Sequence, residues 1–197
     1  MASRASGRAT TARTPRDAAR TRETLLDAGV TVAARDGLAG LSVNRVVAEA
    51  GVAKGTFYVH FDDREAFVDA LHARFHERVQ EAAARATADI EPGPERIWRG
   101  AEAYLDVSLA ERAIKALALE ARTEGAMTAT MAARIERFTT SAVPSFRAMG
   151  WPDATAAAQL FAAMTSEIAI RELDAGRRQP AARRSLRRFL GASSRVR

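Results

Sequence analysis

The sequence contains no cysteine, and among its 197 residues there are only two tryptophans, two tyrosines and six prolines. The absence of cysteine excludes disulfides, thiolate metal sites and cysteine nucleophiles, and it suits a reducing cytosol. No apolar run approaches the roughly 18 to 20 residues that a membrane span requires. The first twenty residues carry arginine without an apolar stretch, which predicts no signal peptide. Phosphate loops, dinucleotide fingerprints and Gly-x-Ser-x-Gly elbows are all missing. The run HARFH places His72 and His76 at i and i+4, a spacing that lets two imidazoles share a metal, but it lacks the glutamate of the zinc-hydrolase motif. No further ligand can be assigned from spacing, so the expectation is no metal, no cofactor and no catalysis.

Charge is abundant but unevenly placed. Residues 1–22 carry +5 and residues 177–197 carry +8, so a net charge of +6 leaves −7 for the middle of the chain. Attraction to phosphate must then be local. Richness in alanine and arginine with few aromatics points to helices throughout and hence to an all-α fold.

Residues 42–67, SVNRVVAEAGVAKGTFYVHFDDREAF, read as two short helices joined by a tight turn. Val43, Val46, Val47 and Ala50 form one apolar stripe, with Asn44, Arg45 and Glu49 opposite. Ser42 supplies an N-cap, Gly51 a left-handed stop, and Val52 the apolar residue that tucks under the turn. In the second helix, Lys54 to Phe61, Phe57 and Phe61 point inward while Lys54, Thr56, Tyr58 and His60 look out. At about seven residues this helix needs docking on its neighbours to hold its shape. Lys54 and the free amides of the first turn suit a phosphate, Tyr58 and His60 offer polar groups toward a nucleic-acid backbone, and Thr56 a small side chain toward a base edge. Asn44 and Arg45 extend that surface, and Arg64 can reach a flanking phosphate.

GVAKGTFYVHFDDREAF resembles the helix-turn-helix signature of the tetracycline-repressor (TetR) family of transcriptional regulators, in register over roughly residues 20–70. The resemblance implies a two-domain, all-α homodimer whose second helix-turn-helix element enters the major groove. It also implies that Lys54, Gly55, Tyr58, His60 and Arg64 contact DNA, and that a ligand pocket lies among the helices of the body. Two positions depart from the pattern. Ala53 stands where the family usually has a capping Ser or Thr, removing a cap that contributes about 1 kcal/mol. Gly55 and Thr56 cannot form bidentate base contacts, which makes Arg45 the best base reader.

Around this unit the pattern predicts helices over Thr21–Arg35, stopping near Gly37, and from Asp62 or Asp63 onward, with Glu65 completing a capping box from Asp62. The latter helix has the stripe Phe67, Val68, Leu71, Phe75 and Val79 and is the natural lever between headpiece and body. Further helices are expected over Glu95–Leu109, Arg112–Thr123, Met127–Met149, Ala154–Ala175 and Pro180–Leu190, nine in all. Pro144 should kink or split the Met127–Met149 run, and Asp153 can cap the next helix. The expected division is a disordered basic arm (1–19), a helix-turn-helix domain (20–66), a helical ligand-binding and dimerisation domain (67–191) and a tail (192–197).

In the body, the large aromatics serve first to fill a core built mostly of alanine. Phe75, Trp98, Tyr104, Phe138 and Phe161 are also the candidates to line a pocket, with Glu120, Arg122 or Glu167 orienting a ligand. Ala157, Leu160, Phe161, Met164 and Ile168 on one helix, and Leu186, Phe189 and Leu190 on the last, predict a four-helix dimer interface. Arg183, Arg184, Arg187 and Arg188 share the face opposite that last stripe. Arg4, Arg8, Arg13, Arg16 and Arg20 either reach phosphates and an adjacent minor groove or form a solvated leader. The reading is a cytoplasmic, homodimeric, ligand-responsive repressor that binds a palindromic operator in double-stranded DNA. The alternative is an effector-independent DNA-binding or DNA-compacting protein that uses its basic tails.

Overall fold

The computed structural model describes residues 14–116 and 129–192. Among the described residues there are nine helices, a short helical segment at residues 112–116, and no strand. In chain order the helices are α1 (Pro15–Gly40), α2 (Val43–Ala50), α3 (Lys54–His60), α4 (Arg64–Thr87), α5 (Pro94–Ala110), α6 (Ala129–Thr140), α7 (Val143–Ala148), α8 (Ala154–Ala175) and α9 (Pro180–Ala192).

Helix α1 starts earlier than the sequence pattern suggests. Thr14 caps it: the Asp17 amide donates to Thr14 Oγ1 at 3.2 Å and the Thr14 amide donates back to the Asp17 carboxylate at 3.4 Å, a reciprocal box with Pro15 at the first turn. Arg16 and Arg20, expected in or beside a disordered arm, therefore sit on α1, while Arg4, Arg8 and Arg13 lie outside the described residues. Leu25, Leu26, Gly29, Val32 and Ala33 are buried on its inner face. Gly29 is required by contact: a Cβ there would stand 2.5 Å from Phe67 Cζ, so α1 and α4 approach as closely as they do because that side chain is missing.

Two apolar clusters fill the molecule. The first gathers α1 to α3 and the first turns of α4, down to Leu71, and the second begins at Phe75 and takes in α5 and α7 to α9. The boundary between the two clusters falls inside α4, between Leu71 and Phe75. Spanning 24 residues and so about 36 Å, α4 places Phe67, Val68 and Leu71 in one core and Phe75 and Val79 in the other. Its cap is Asp63, which accepts from the Ala66 amide at 2.8 Å. The box expected between Asp62 and Glu65 does not form, because with Asp63 as cap Glu65 falls one position short of where a box needs it.

The expected run 127–149 is split, as Pro144 suggested: α6 ends at Thr140, Ser141 and Ala142 turn, and α7 restarts with the proline in its first turn. Glu120 and Arg122 lie outside the described residues. Asp153 caps α8 through the Ala156 amide at 2.8 Å. The body is closed by a buried ion network. Arg183 donates to both Glu172 oxygens at 2.7 and 2.6 Å and to Asp106 at 2.7 Å, and the Gln179 amide donates to Glu172 at 2.8 Å. Burial alone would raise the Glu172 carboxyl, but Arg183 and the Gln179 amide outweigh it and hold it below the usual carboxylate range. Arg183 is accordingly interior and Arg187 pairs with Glu95 at 3.0 Å, so only Arg184 and Arg188 of the four arginines lie exposed without an ion pair among the described residues.

Candidate functional site

The headpiece holds α3 by its aromatic side. Phe57 is fully buried and packs on Phe61 and Phe67 with ring centroids 5.4 and 5.2 Å away, and Phe61 and Phe67 meet edge to face at 4.9 Å. Such a triad fixes the rotation of a seven-residue helix that has no stability of its own. The turn before it is closed by Gly51 at φ 65° and by the Val52 amide donating to the Val47 carbonyl at 3.1 Å, which sets the angle between α2 and α3.

With Phe57 and Phe61 inside, the opposite side of α3 is fixed. Lys54, Gly55 and Tyr58 are exposed, and Thr56 and His60 are half-buried. Tyr58 is 49% exposed, its ring edge-on to Phe57 at 5.5 Å, so the phenol is aimed outward from a rigid base. Ala53 makes no side-chain cap. On the neighbouring helix Ser42 caps α2 through the Arg45 amide at 3.4 Å and Asn44 is exposed.

The two flanking arginines are placed differently from the sequence expectation. Arg64 donates from Nε to the Leu41 carbonyl and from Nη2 to the Leu38 carbonyl, both at 2.6 Å, which spends it on the open end of α1 and staples α4 to the α1–α2 turn. Arg45 pairs with Asp36 at 3.0 Å and reaches the Gly40 carbonyl at 3.4 Å, so its guanidinium lies back along the end of α1. To read a base it must leave Asp36.

A second site lies in the body: a cavity of about 560 Å³ between α4, α5, α6, α7, α8 and the segment at 112–116. Phe75, Tyr104, Phe138 and Phe161 line it; Trp98 does not, being packed instead under the Arg187 guanidinium at 5.6 Å, and Glu167 is turned to solvent with Arg171. His72 and His76, one turn apart on α4, face the cavity with ring centroids 4.5 Å apart. Burial, then the Arg134 and Lys115 charges, push His72 down to about 4 against the opposing pull of Asp69. Burial, then His72, Lys115 and Arg134, push His76 to about 3. Both imidazoles are therefore neutral at physiological pH. Among the described residues no group of three or more His, Cys, Asp or Glu stands together as a metal site.

Residues 25–71, the span that builds this headpiece, match the sequence model described as "Bacterial regulatory proteins, tetR family". Over that span the chain is similar to the TetR family of regulatory proteins. Its fold is shared with solved structures that align along nearly their whole length. A TetR-like transcriptional regulator from Rhodococcus sp. RHA1 superposes with a TM-score of 0.75 at 20% identity, covering 91% of this chain and 97% of that one. A TetR family transcription regulator from Marinobacter aquaeolei VT8 gives 0.72 at 16% identity, with 91% and 98% covered. A transcriptional regulator from Aquifex aeolicus VF5 gives 0.62 at 19%, with 87% and 98% covered. At such identities the likeness carries the fold and not the ligand.

Several residues escaped the sequence reading. Val59 is 69% exposed, the most open position of α3 for an apolar residue, and suits the methyl group of a thymine. Its signal was present: it lies three and four residues after Thr56 and Gly55, on the face they share. Lys115 lines the cavity, and the only hint was a lone cation in an otherwise apolar run. Of the eight positions expected at a dimer interface, Ala157, Phe161, Ile168, Leu186 and Leu190 are buried within the chain's own core. Leu160, Met164 and Phe189 remain exposed.

Proposed function

We propose that this chain is a TetR-family transcriptional regulator that binds a palindromic DNA operator as a homodimer in the cytoplasm and is released when a small molecule fills the cavity of the body, which makes it a repressor. The observation that carries the reading is the placement of α4. One unbroken helix packs Phe67, Val68 and Leu71 against the DNA-facing headpiece and presents His72, Phe75, His76 and Gln80 to the cavity. An occupant that fits one tilt of α4 better than another shifts the headpiece by that difference in affinity. Two arginines support the lever. Arg74, nearly buried, pairs with Asp27 at 2.8 Å and Glu23 at 3.4 Å on α1, and Arg134 of α6 grips Asp69 of α4 at 2.9 and 3.0 Å.

In this reading Lys54 and the polar groups of Tyr58 and His60 hold phosphates, while Gly55, Thr56 and Val59 approach base edges. Pairing α8 and α9 with their two-fold mates through Leu160, Met164 and Phe189 covers three exposed apolar side chains of the body and sets two α3 helices about one helical turn of DNA apart. The test is selection of bound duplexes from a random pool with the full-length protein. A two-fold symmetric motif is the expected product; recovery without any motif overturns the reading in favour of unspecific coverage.

A further inference from the structure

The cavity is lopsided in charge. Among its described lining residues there is no aspartate or glutamate, while Arg96, Lys115 and Arg137 are cationic. Arg96 is occupied, donating to the Thr87 and Ile90 carbonyls at 2.6 Å each, and Arg137 is solvent-exposed. Lys115 is neither. It is 7% exposed, its Nζ donates to the Tyr104 phenol oxygen at 2.8 Å, and it stands 5.4 Å from that ring's centroid. That is its one hydrogen bond among the described residues, where an ammonium has three donors, and no described carboxylate pairs with it. A buried cation without a counter-charge is an unfavourable arrangement that an anion corrects. The chain uses lysine at only two of its thirty basic positions, so a lysine inside this cavity is not a by-product of composition.

A second observation points the same way. His72 and His76 are both more than nine-tenths buried on the cavity wall, and the Nδ1 atoms of both lack a hydrogen-bond partner among the described residues. Tyr104, having accepted from Lys115, still has its own O–H to donate. One pole of the cavity thus gathers an ammonium, a phenol and two imidazoles. Elsewhere the wall brings Phe75, Phe138 and Phe161 together with the small Ala158 and Ala162, among uncharged polar side chains such as Gln80 and Gln159.

We infer that the cavity takes a small amphipathic acid, its single carboxylate seated against Lys115 and Tyr104 and its apolar part among Phe75, Phe138 and Phe161. A monoanion fits better than a doubly charged phosphate, because among the described lining residues Lys115 is the one buried ammonium available to neutralise it. The inference rests on the reading of this cavity as the effector site, and its experiment separates the two.

Calorimetric titration of the full-length protein with decanoate, decanamide and decylamine, and with 2-naphthoate and 2-naphthamide, reads the charge preference directly. The expected result is that at least one acid binds about ten-fold or more tightly than its own amide, that decylamine binds worst, and that the preference falls to about two-fold or less in Lys115→Met. Circular dichroism and thermal unfolding check that the variant folds; should it not, Lys115→Gln takes its place, and the acid-over-amide preference of the unaltered protein decides alone. Equal binding of acid and amide, survival of the preference in the variant, or no binding by either acid overturns the inference. DNA binding is measured separately on the selected operator. An acid that binds through Lys115 without weakening DNA binding leaves the anion site standing and sinks the effector reading, and an amide that binds equally well and releases DNA does the reverse.

Discussion

Acidification should unfold the body through His72 and His76. Their ordinary value is 6.5, and burial with the neighbouring Arg134 and Lys115 charges depresses them to about 4 and about 3 in the folded chain. Below pH 6.5 the unfolded chain therefore binds protons that the folded chain refuses. The stabilisation is full above that pH and is lost as pH falls from 6.5 toward 4, each histidine contributing about 1.4 kcal/mol per pH unit. At pH 5 each is about 1.5 units into that window, so the loss is roughly 2 kcal/mol apiece and about 4 kcal/mol together. Against a total of about 5 to 15 kcal/mol this is a large share, worth a fall in Tm on the order of 10 °C for a chain of this size. The assay is chemical and thermal unfolding of the full-length protein at pH 7 and pH 5, at one protein concentration, beside the double variant His72→Gln, His76→Gln. His60 and all carboxylates are common to both proteins and cancel in the difference. The double variant should lose about 4 kcal/mol less than the unaltered protein between the two pH values. Equal losses would mean that the two rings are solvated in the folded state, and the cavity as described would then be wrong.

Three further outcomes follow from particular contacts. Arg64→Ala removes two hydrogen bonds to the Leu38 and Leu41 carbonyls and should cost about 1 to 3 kcal/mol of stability in urea with the salt slope of DNA binding unchanged; intact stability with a slope lowered by about one would return this residue to the phosphate contacts. Leu160→Glu with Phe189→Glu places charge on the exposed apolar positions of α8 and α9 and should yield a folded monomer by sedimentation; an unchanged sedimentation coefficient would put any dimer contact elsewhere. Arg134→Gln loosens α6 from Asp69 and should leave ligand affinity within about two-fold while cutting the ligand's effect on DNA binding by about 1 kcal/mol, measured as the ratio of operator affinities with and without ligand. An unaltered ratio would show that the Asp69 link does not transmit.

What could be read from the sequence, and what could not, divides along one physical line. Where a helix has one apolar face, its periodicity names the buried residues. Every member of the α4 stripe from Phe67 to Val79 is interior, and Phe57 and Phe61 orient α3 as their spacing requires. Helix α8 has no such asymmetry. Alanine and large aliphatics surround it, and Phe161 and Ile168 turn into the chain's own core while Leu160 and Met164 turn out, a choice that depends on what α5 and α7 present and that no pattern within α8 records. Long polar side chains fail for a related reason. Arg64 finds its partners 23 and 26 residues away, Arg134 finds Asp69 at a separation of 65, and Trp98 lies under Arg187 rather than in the cavity because α9 folds back on α5. The headpiece was legible because its contacts are local and its outward face is whatever remains once two phenylalanines are inside. The cavity was legible only as a set of aromatics. Its chemistry resides in Lys115, Tyr104, His72 and His76, brought together from three segments, and the charge of that pole exists only once the chain has folded.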